Sequence, residues 1–169
     1  MTLSIYQASV PVFVQGLANL SAILDKAVAQ AAERQIDPAA LLDSRLAPDM
    51  FPLVGQVQLA TDHAKGASAR LAGIEVPKFA DIETSFDELQ QRLARVREFV
   101  NGIDPGRIDG SEERKIVLTI RGQPKTFNGR TYLVSFALPN FYFHLTTAYA
   151  ILRHNGIAIG KRDFLGPIL

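Results

Sequence analysis

The stretch Ser85-Phe-Asp-Glu-Leu-Gln-Gln-Arg-Leu-Ala-Arg-Val-Arg-Glu-Phe-Val-Asn-Gly-Ile103 decides the fold. Phe86, Leu89, Leu93, Val96, Val100 and Ile103 recur at spacings of three and four, which places one apolar stripe on an α-helix. Ser85 stands three residues before Glu88, the capping-box spacing that satisfies orphan backbone donors at a helix start. Asp87, Gln91, Arg95 and Glu98 fall on the opposite, solvated face. A helix this one-sided needs apolar partners, and the rest of the chain supplies them.

Upstream, Val10, Phe13, Leu17, Leu20, Leu24, Ala27 and Ala31 predict a first long helix ending near Gln35. Ser4-x-x-Gln7 reads as its capping box, and Pro11 lies either in its first turn or at a kink. Asp37-Pro38 opens a short helix through Leu42. From a cap at Asp49, a second long helix follows, with Leu53, Val57, Ala60, Ala64, Ala67 and Leu71 inward, Gln58, Asp62 and Lys65 outward, and Gly73 as its stop. Its alanine-rich face lets a neighbouring helix approach closely.

Downstream, Asp104-Pro-Gly and Asp109-Gly signal turns, and Lys115-Ile-Val-Leu-Thr-Ile120 is β-branched enough to read as a strand. With Arg121-Gly-Gln as the turn and Lys125-Thr-Phe127 as the partner, it predicts a small hairpin packed on the helices. A fourth long helix runs from about Arg130 to Asn155, closed by Gly156. The tail from Ile157 to Leu169 is expected to be extended and docked through Ile157, Ile159, Phe164 and Leu165. The expectation is one all-α domain over residues 1–169, a four-helix bundle with a β-hairpin between its third and fourth helices.

Composition narrows the chemistry. The 169 residues suit one core, and the mean hydropathy of +0.09 with 47% hydrophobic residues argues against a disordered chain. With 18 Lys and Arg against 17 Asp and Glu, no one-sided field invites nucleic acid. The absence of cysteine excludes disulfides, thiolate metal sites and a cysteine nucleophile. The N-terminal residues lack a signal-peptide pattern, and no uninterrupted apolar run approaches the roughly 18 residues of a membrane span. The expectation is a cytoplasmic protein with no membrane partner.

On the fourth helix, at roughly 100° per residue, Leu133, Ala137, Asn140, His144, Ala148 and Ile151 share one sector, with Thr147 at its edge. Two polar side chains thus fall in the expected core, and Gln56 projects toward them from the second helix. An unpartnered buried amide or imidazole costs on the order of 1–3 kcal/mol, so Asn140 and His144 must bond to something. Either they satisfy each other, Gln56 and a carbonyl freed near Pro139, or the three line a pocket between facing helices. His144 is then the candidate acid–base group, with Asn140 and Gln56 orienting a ligand. His63 and His154 read as boundary or surface residues. Phe141, Tyr142 and Phe143 leave the fourth helix apolar all round, which points to deep burial or to a homodimer face.

The segments Ser4-Ile-Tyr-Gln-Ala-Ser-Val-Pro-Val-Phe13, Ala47-Pro-Asp-Met-Phe-Pro-Leu53, Ala64-Lys-Gly66, Leu138-Pro-Asn-Phe-Tyr-Phe-His144 and Ala148-Tyr-Ala-Ile-Leu-Arg-His-Asn-Gly156 carry a resemblance over essentially the whole chain. The chain resembles the DinB/YfiT-like superfamily, and within it a bacterial family known only as a domain of unknown function. That resemblance implies an up-down-down-up four-helix bundle, often dimeric, with three histidines holding a divalent metal such as Zn²⁺ or Ni²⁺. Some members use the metal with low-molecular-weight thiols such as bacillithiol or mycothiol. Here the corresponding positions fall on Gln56, Asn140 and His144, only one of them a histidine. Imidazoles bind such metals far better than neutral carboxamides, which argues against a tight metal site. The leading expectation is a bundle binding an unidentified small molecule in a polar pocket. The alternatives are a divalent-metal- and thiol-dependent transferase or isomerase, and a non-catalytic dimeric interaction or structural protein.

Overall fold

The computed structural model describes residues 3–167; Met1, Thr2, Ile168 and Leu169, which belong to the N-terminal and tail expectations above, lie outside the described residues. The Ser4 and Gln7 side chains do exchange bonds with each other's backbone N–H, at 3.1 and 3.2 Å. They cap a turn ahead of the first helix, however, and α1 (Val10–Arg34) starts later with Pro11 in its first turn. That placement removes the need for a kink, because a first-turn residue has no intrahelical N–H bond to lose. Asp37 caps α2 (Pro38–Asp43) by accepting from Ala39 N at 2.9 Å.

The start of α3 (Leu53–Ala72) corrects the sequence reading. Asp49 does not cap it; Pro52 occupies the cap position without a side-chain bond, supplying its fixed φ instead. Gly73 ends α3 in the left-handed conformation, φ +67°, as expected. Ser85 accepts from Glu88 N at 3.2 Å to open α4 (Phe86–Asn101), while the Glu88 carboxylate turns back to Thr84 N and Oγ1. Asp104-Pro-Gly forms a short helix, α5 (Pro105–Ile108), where a plain turn was expected.

Strands β1 (Ile116–Ile120) and β2 (Gln123–Phe127) pair antiparallel with Ile116 opposite Phe127 and Ile120 opposite Gln123. Their turn is the two-residue Arg121–Gly122, both at positive φ, which matches the strand twist. The expected fourth helix is one rod in three parts: α6 (Gly129–Tyr132), a π-helical turn over Leu133–Ala137, and α7 (Leu138–His154). Leu138 N donates to the Leu133 carbonyl, five residues back. The register therefore widens just before Pro139, which has no N–H to give.

One contiguous core joins these elements, from Ile5 and Phe13 through Leu53, Leu89 and Leu133 to Ile159. Helix α3 packs on α7 and α4, and α1 on α4. The small side chains of α3, Ala60, Ala64 and Ala67, are fully buried, as a close helix crossing requires. Gly16 of α1 does similar service: a Cβ there would lie 2.8 Å from the Phe141 ring, which meets Phe13 edge-on at 5.0 Å. By length and mean hydropathy, 1.3 over its best window, α1 meets the size requirement for crossing a membrane; its apolar stripe is spent here on the core.

Two surface expectations fail. Lys65, expected outward, is only 4% exposed, because its ammonium pairs with Asp62 at 2.9 Å and sits over the Phe79 ring. The tail is not wholly extended: Lys161–Leu165 forms α8, held by Asn19 Nδ2 donating to Phe164 O at 3.0 Å and by a Lys26–Asp163 ion pair. Ile157 and Ile159 are buried as expected, and Phe164 packs edge-on to Tyr149, but Leu165 faces solvent.

Candidate functional site

Of the three residues singled out from sequence, the structure brings two together. Gln56, on α3, is buried, and its Nε2 donates to the Phe51 carbonyl at 3.0 Å. That bond turns the amide oxygen toward His144 Nδ1, 2.7 Å away on α7. An amide oxygen only accepts, so His144 carries its proton on Nδ1 and keeps Nε2 as an acceptor. Asn140 does not join them. Its Nδ2 folds back onto the Phe136 carbonyl of its own rod at 2.7 Å, close to where Pro139 disturbs the ladder.

The third member is His63, which sequence had set at the boundary and apart from the cluster. It lies seven residues after Gln56 on α3, two turns along, and its ring runs nearly parallel to that of His144: centroids 5.4 Å apart, planes inclined by 14°. Both imidazoles are pushed toward the neutral form. Burial, the neighbouring His144 and, more weakly, Arg70 lower the His63 pKa to about 4, against the opposing pull of Asp62; burial alone lowers that of His144.

His63 opens into a cleft of about 320 Å³ lined by Leu59, Asp62, Arg70, Phe136 and the strand residues Leu118 to Ile120. The hairpin is thus one wall of the cleft. Its inward residue Leu118 packs on the core, while Phe127 leans on Phe136 at 5.7 Å and Phe136 on Tyr132 at 5.9 Å. Arg70 donates from Nη1 to the Tyr132 hydroxyl at 3.2 Å, and burial raises the pKa of that hydroxyl, with Arg70 opposing. Asp62, on the same rim, pairs with Lys65 and with Arg92, each at 2.9 Å, sharing Arg92 with Asp81 and Glu83.

Sequence reasoning missed His63, Arg70, Phe136 and the hairpin wall. The seven-residue step from Gln56 to His63 was a usable signal, since it returns a side chain to the same helix face. The hairpin's position over α3 had no local signal. A second groove of about 300 Å³, between α1, α7 and α8, is mainly apolar; its Gln15 and Asn19 bond each other and Phe164 O, and Tyr142 completes its polar lining.

The family model described as "Domain of unknown function (DUF1993)" matches residues 5–165. The chain belongs to the DUF1993 family. Its architecture is that of the DinB-like bundles: the crystal structure, at 1.83 Å resolution, of a DinB family member protein from Shewanella denitrificans superposes with a TM-score of 0.89. The two are 43% identical, and the match covers 96% of this chain and 92% of that one. No curated protein matches.

The metal that the DinB-like resemblance implies does not fit this DUF1993 chain. Both ends of the Gln56 amide and Nδ1 of His144 are committed to hydrogen bonds, and Asn140 points back at its own backbone. Among the described residues, no three His, Asp or Glu side chains gather as a metal would need.

Proposed function

We propose that this DUF1993 domain binds a small molecule in the cleft between α3, the hairpin and the π-helical turn, without a tight metal site. The observation that carries the proposal is His63, which lines the cleft and stacks on the buried His144 behind it, whose tautomer is set by Gln56. Concave sites with apolar walls and a few convergent polar groups are where ligands bind in helical bundles. A neutral imidazole at the cleft accepts a hydrogen bond or a proton from a ligand: His63 meets it directly, and His144, the acid–base group of the reading, stands behind His63.

The test is a fragment titration followed by NMR. Expected are shifts of the His63, Phe136 and Leu118 resonances that vanish in Phe136→Ala; hits confined to the α1–α7–α8 groove overturn the reading. Titration with ZnCl₂ and NiCl₂ is expected to give no stoichiometric tight binding. A one-to-one complex lost in His144→Ala returns the metal- and thiol-dependent alternative.

A homodimer is the second reading, supported by Val134, Tyr142 and Phe143, which are 59%, 43% and 55% exposed on the fourth rod. Sedimentation checks it: a dimer dissociated by Phe143→Glu agrees, and a monomer at high concentration rejects it.

A further inference from the structure

Arg70 is the only cation among the residues lining the cleft, and it lacks a carboxylate partner. Among the described residues no Asp or Glu lies within ion-pair distance of it, and its Nε and Nη2 have no protein acceptor. Its single bond, from Nη1 to the Tyr132 hydroxyl, fixes the guanidinium over the cleft rather than neutralising it. Arg92, by contrast, spends its donors on Thr61, Ala80, Asp62, Asp81 and Glu83.

The position of Arg70 is also built into α3. Gly66, one turn earlier, is buried, and a Cβ there would fall on Arg70 Nη1. A glycine inside a helix costs about 0.5–1 kcal/mol relative to alanine, and here the missing side chain leaves room for the guanidinium to fold back along the helix. The neighbouring walls are Leu59, Leu118 and Phe136, and the neighbouring histidines are held neutral.

Resting on the cleft reading above, we infer that the ligand is a small monocarboxylate with an apolar body, its carboxylate on Arg70 and its body against Phe136 and Leu118. A guanidinium fork with free donors matches a carboxylate. A single cation, with the Asp62 carboxylate on the same rim, suits one negative charge better than the two of a phosphate monoester. Gly66 is a positioning residue for Arg70.

The experiment titrates labelled protein with matched pairs, benzoate and benzamide, phenylacetate and phenylacetamide, hexanoate and hexanamide, together with phenyl phosphate, reading the Leu59, Leu118, Ile120 and Phe136 signals. The acids are expected to bind about tenfold more tightly than their amides, the size of one charge-assisted bond. In Arg70→Gln the preference falls to within about twofold, and Arg70→Lys keeps part of it because the charge remains without the planar fork. Gly66→Ala is expected to lose the preference while holding or raising the melting temperature, which separates loss of position from loss of fold. Acids and amides binding the cleft equally overturn the carboxylate and leave the cleft reading standing. A preference that survives Arg70→Gln, or phenyl phosphate binding more than about tenfold tighter than benzoate, overturns the assignment as well. No shift in any cleft signal overturns both readings.

Discussion

Two guanidinium groups flank the same helix and answer different needs. Arg92 is 2% exposed and ties α4 to α3 and to the loop before it: Nε donates to Thr61 Oγ1 at 2.7 Å, Nη1 to Glu83 at 3.0 Å, and Nη2 to Asp62 at 2.9 Å. Burial raises the Glu83 pKa, but hydrogen bonds from Gln58 and the backbone, with those of Arg92, hold it below the usual carboxylate range. Arg70 is half-buried with one phenol as its partner. A satisfied arginine belongs to the scaffold, and one at a cleft with free donors has bonds left to give.

Replacing the two tests that contrast most directly. Arg92→Met is expected to lower unfolding free energy by about 1–3 kcal/mol, because the half-buried Glu83, with Asp62 and Asp81, loses the shared counter-charge. Arg70→Met is expected to change it by less than about 1 kcal/mol, as a side chain with few fixed partners should. Urea melts at neutral pH read both, and equal losses would erase the distinction between them.

Acid sharpens the comparison next. The folded pKa of His63, about 4, lies below the ordinary histidine value of 6.5, so the unfolded chain takes up the proton first as pH falls. Stability is therefore whole above pH 6.5 and is lost as pH drops toward 4, by on the order of 3 kcal/mol. His144, lowered by burial, adds in the same direction. His63→Gln should flatten the decline in melts taken between pH 7 and 4.5; an unchanged slope would place the effect elsewhere.

Two glycines give effects of opposite sign. Gly16→Ala pushes a methyl into the buried Phe141 ring and is expected to cost about 1–3 kcal/mol, since that ring has nowhere to go. Gly66→Ala meets only the end of a flexible arginine, so the helix-propensity gain of up to about 1 kcal/mol should survive. Thermal denaturation of the pair checks the signs.

The bundle was legible because its helices announce themselves locally. The Phe86 to Ile103 stripe, the Asp37-Pro38 start and the Gly73 stop each need only a few neighbouring residues to be read. The Gln56–His144 bond was legible for a related reason: both positions follow from helical phase. What could not be read is decided between elements. Lys65 looks solvated until Phe79 and Asp62 are placed beside it, and of the partners open to Asn140 only the packed structure picks the Phe136 carbonyl, close to Pro139, over His144 and Gln56. The cleft needed the hairpin's docking site, which no pattern within residues 115–128 specifies. His63 was visible as one more two-turn step from Gln56.

The π-helical turn at Leu133–Ala137 gives its rod two phases, one for α6 and another for α7. Removing one residue from that turn would swing Tyr132 and the root of the hairpin by roughly 100° relative to His144, whereas substitutions within it leave the phase untouched. The cleft is thus written partly as a spacing: insertions and deletions between Tyr132 and Leu138 that spare Phe136 re-address its walls without altering a single wall residue.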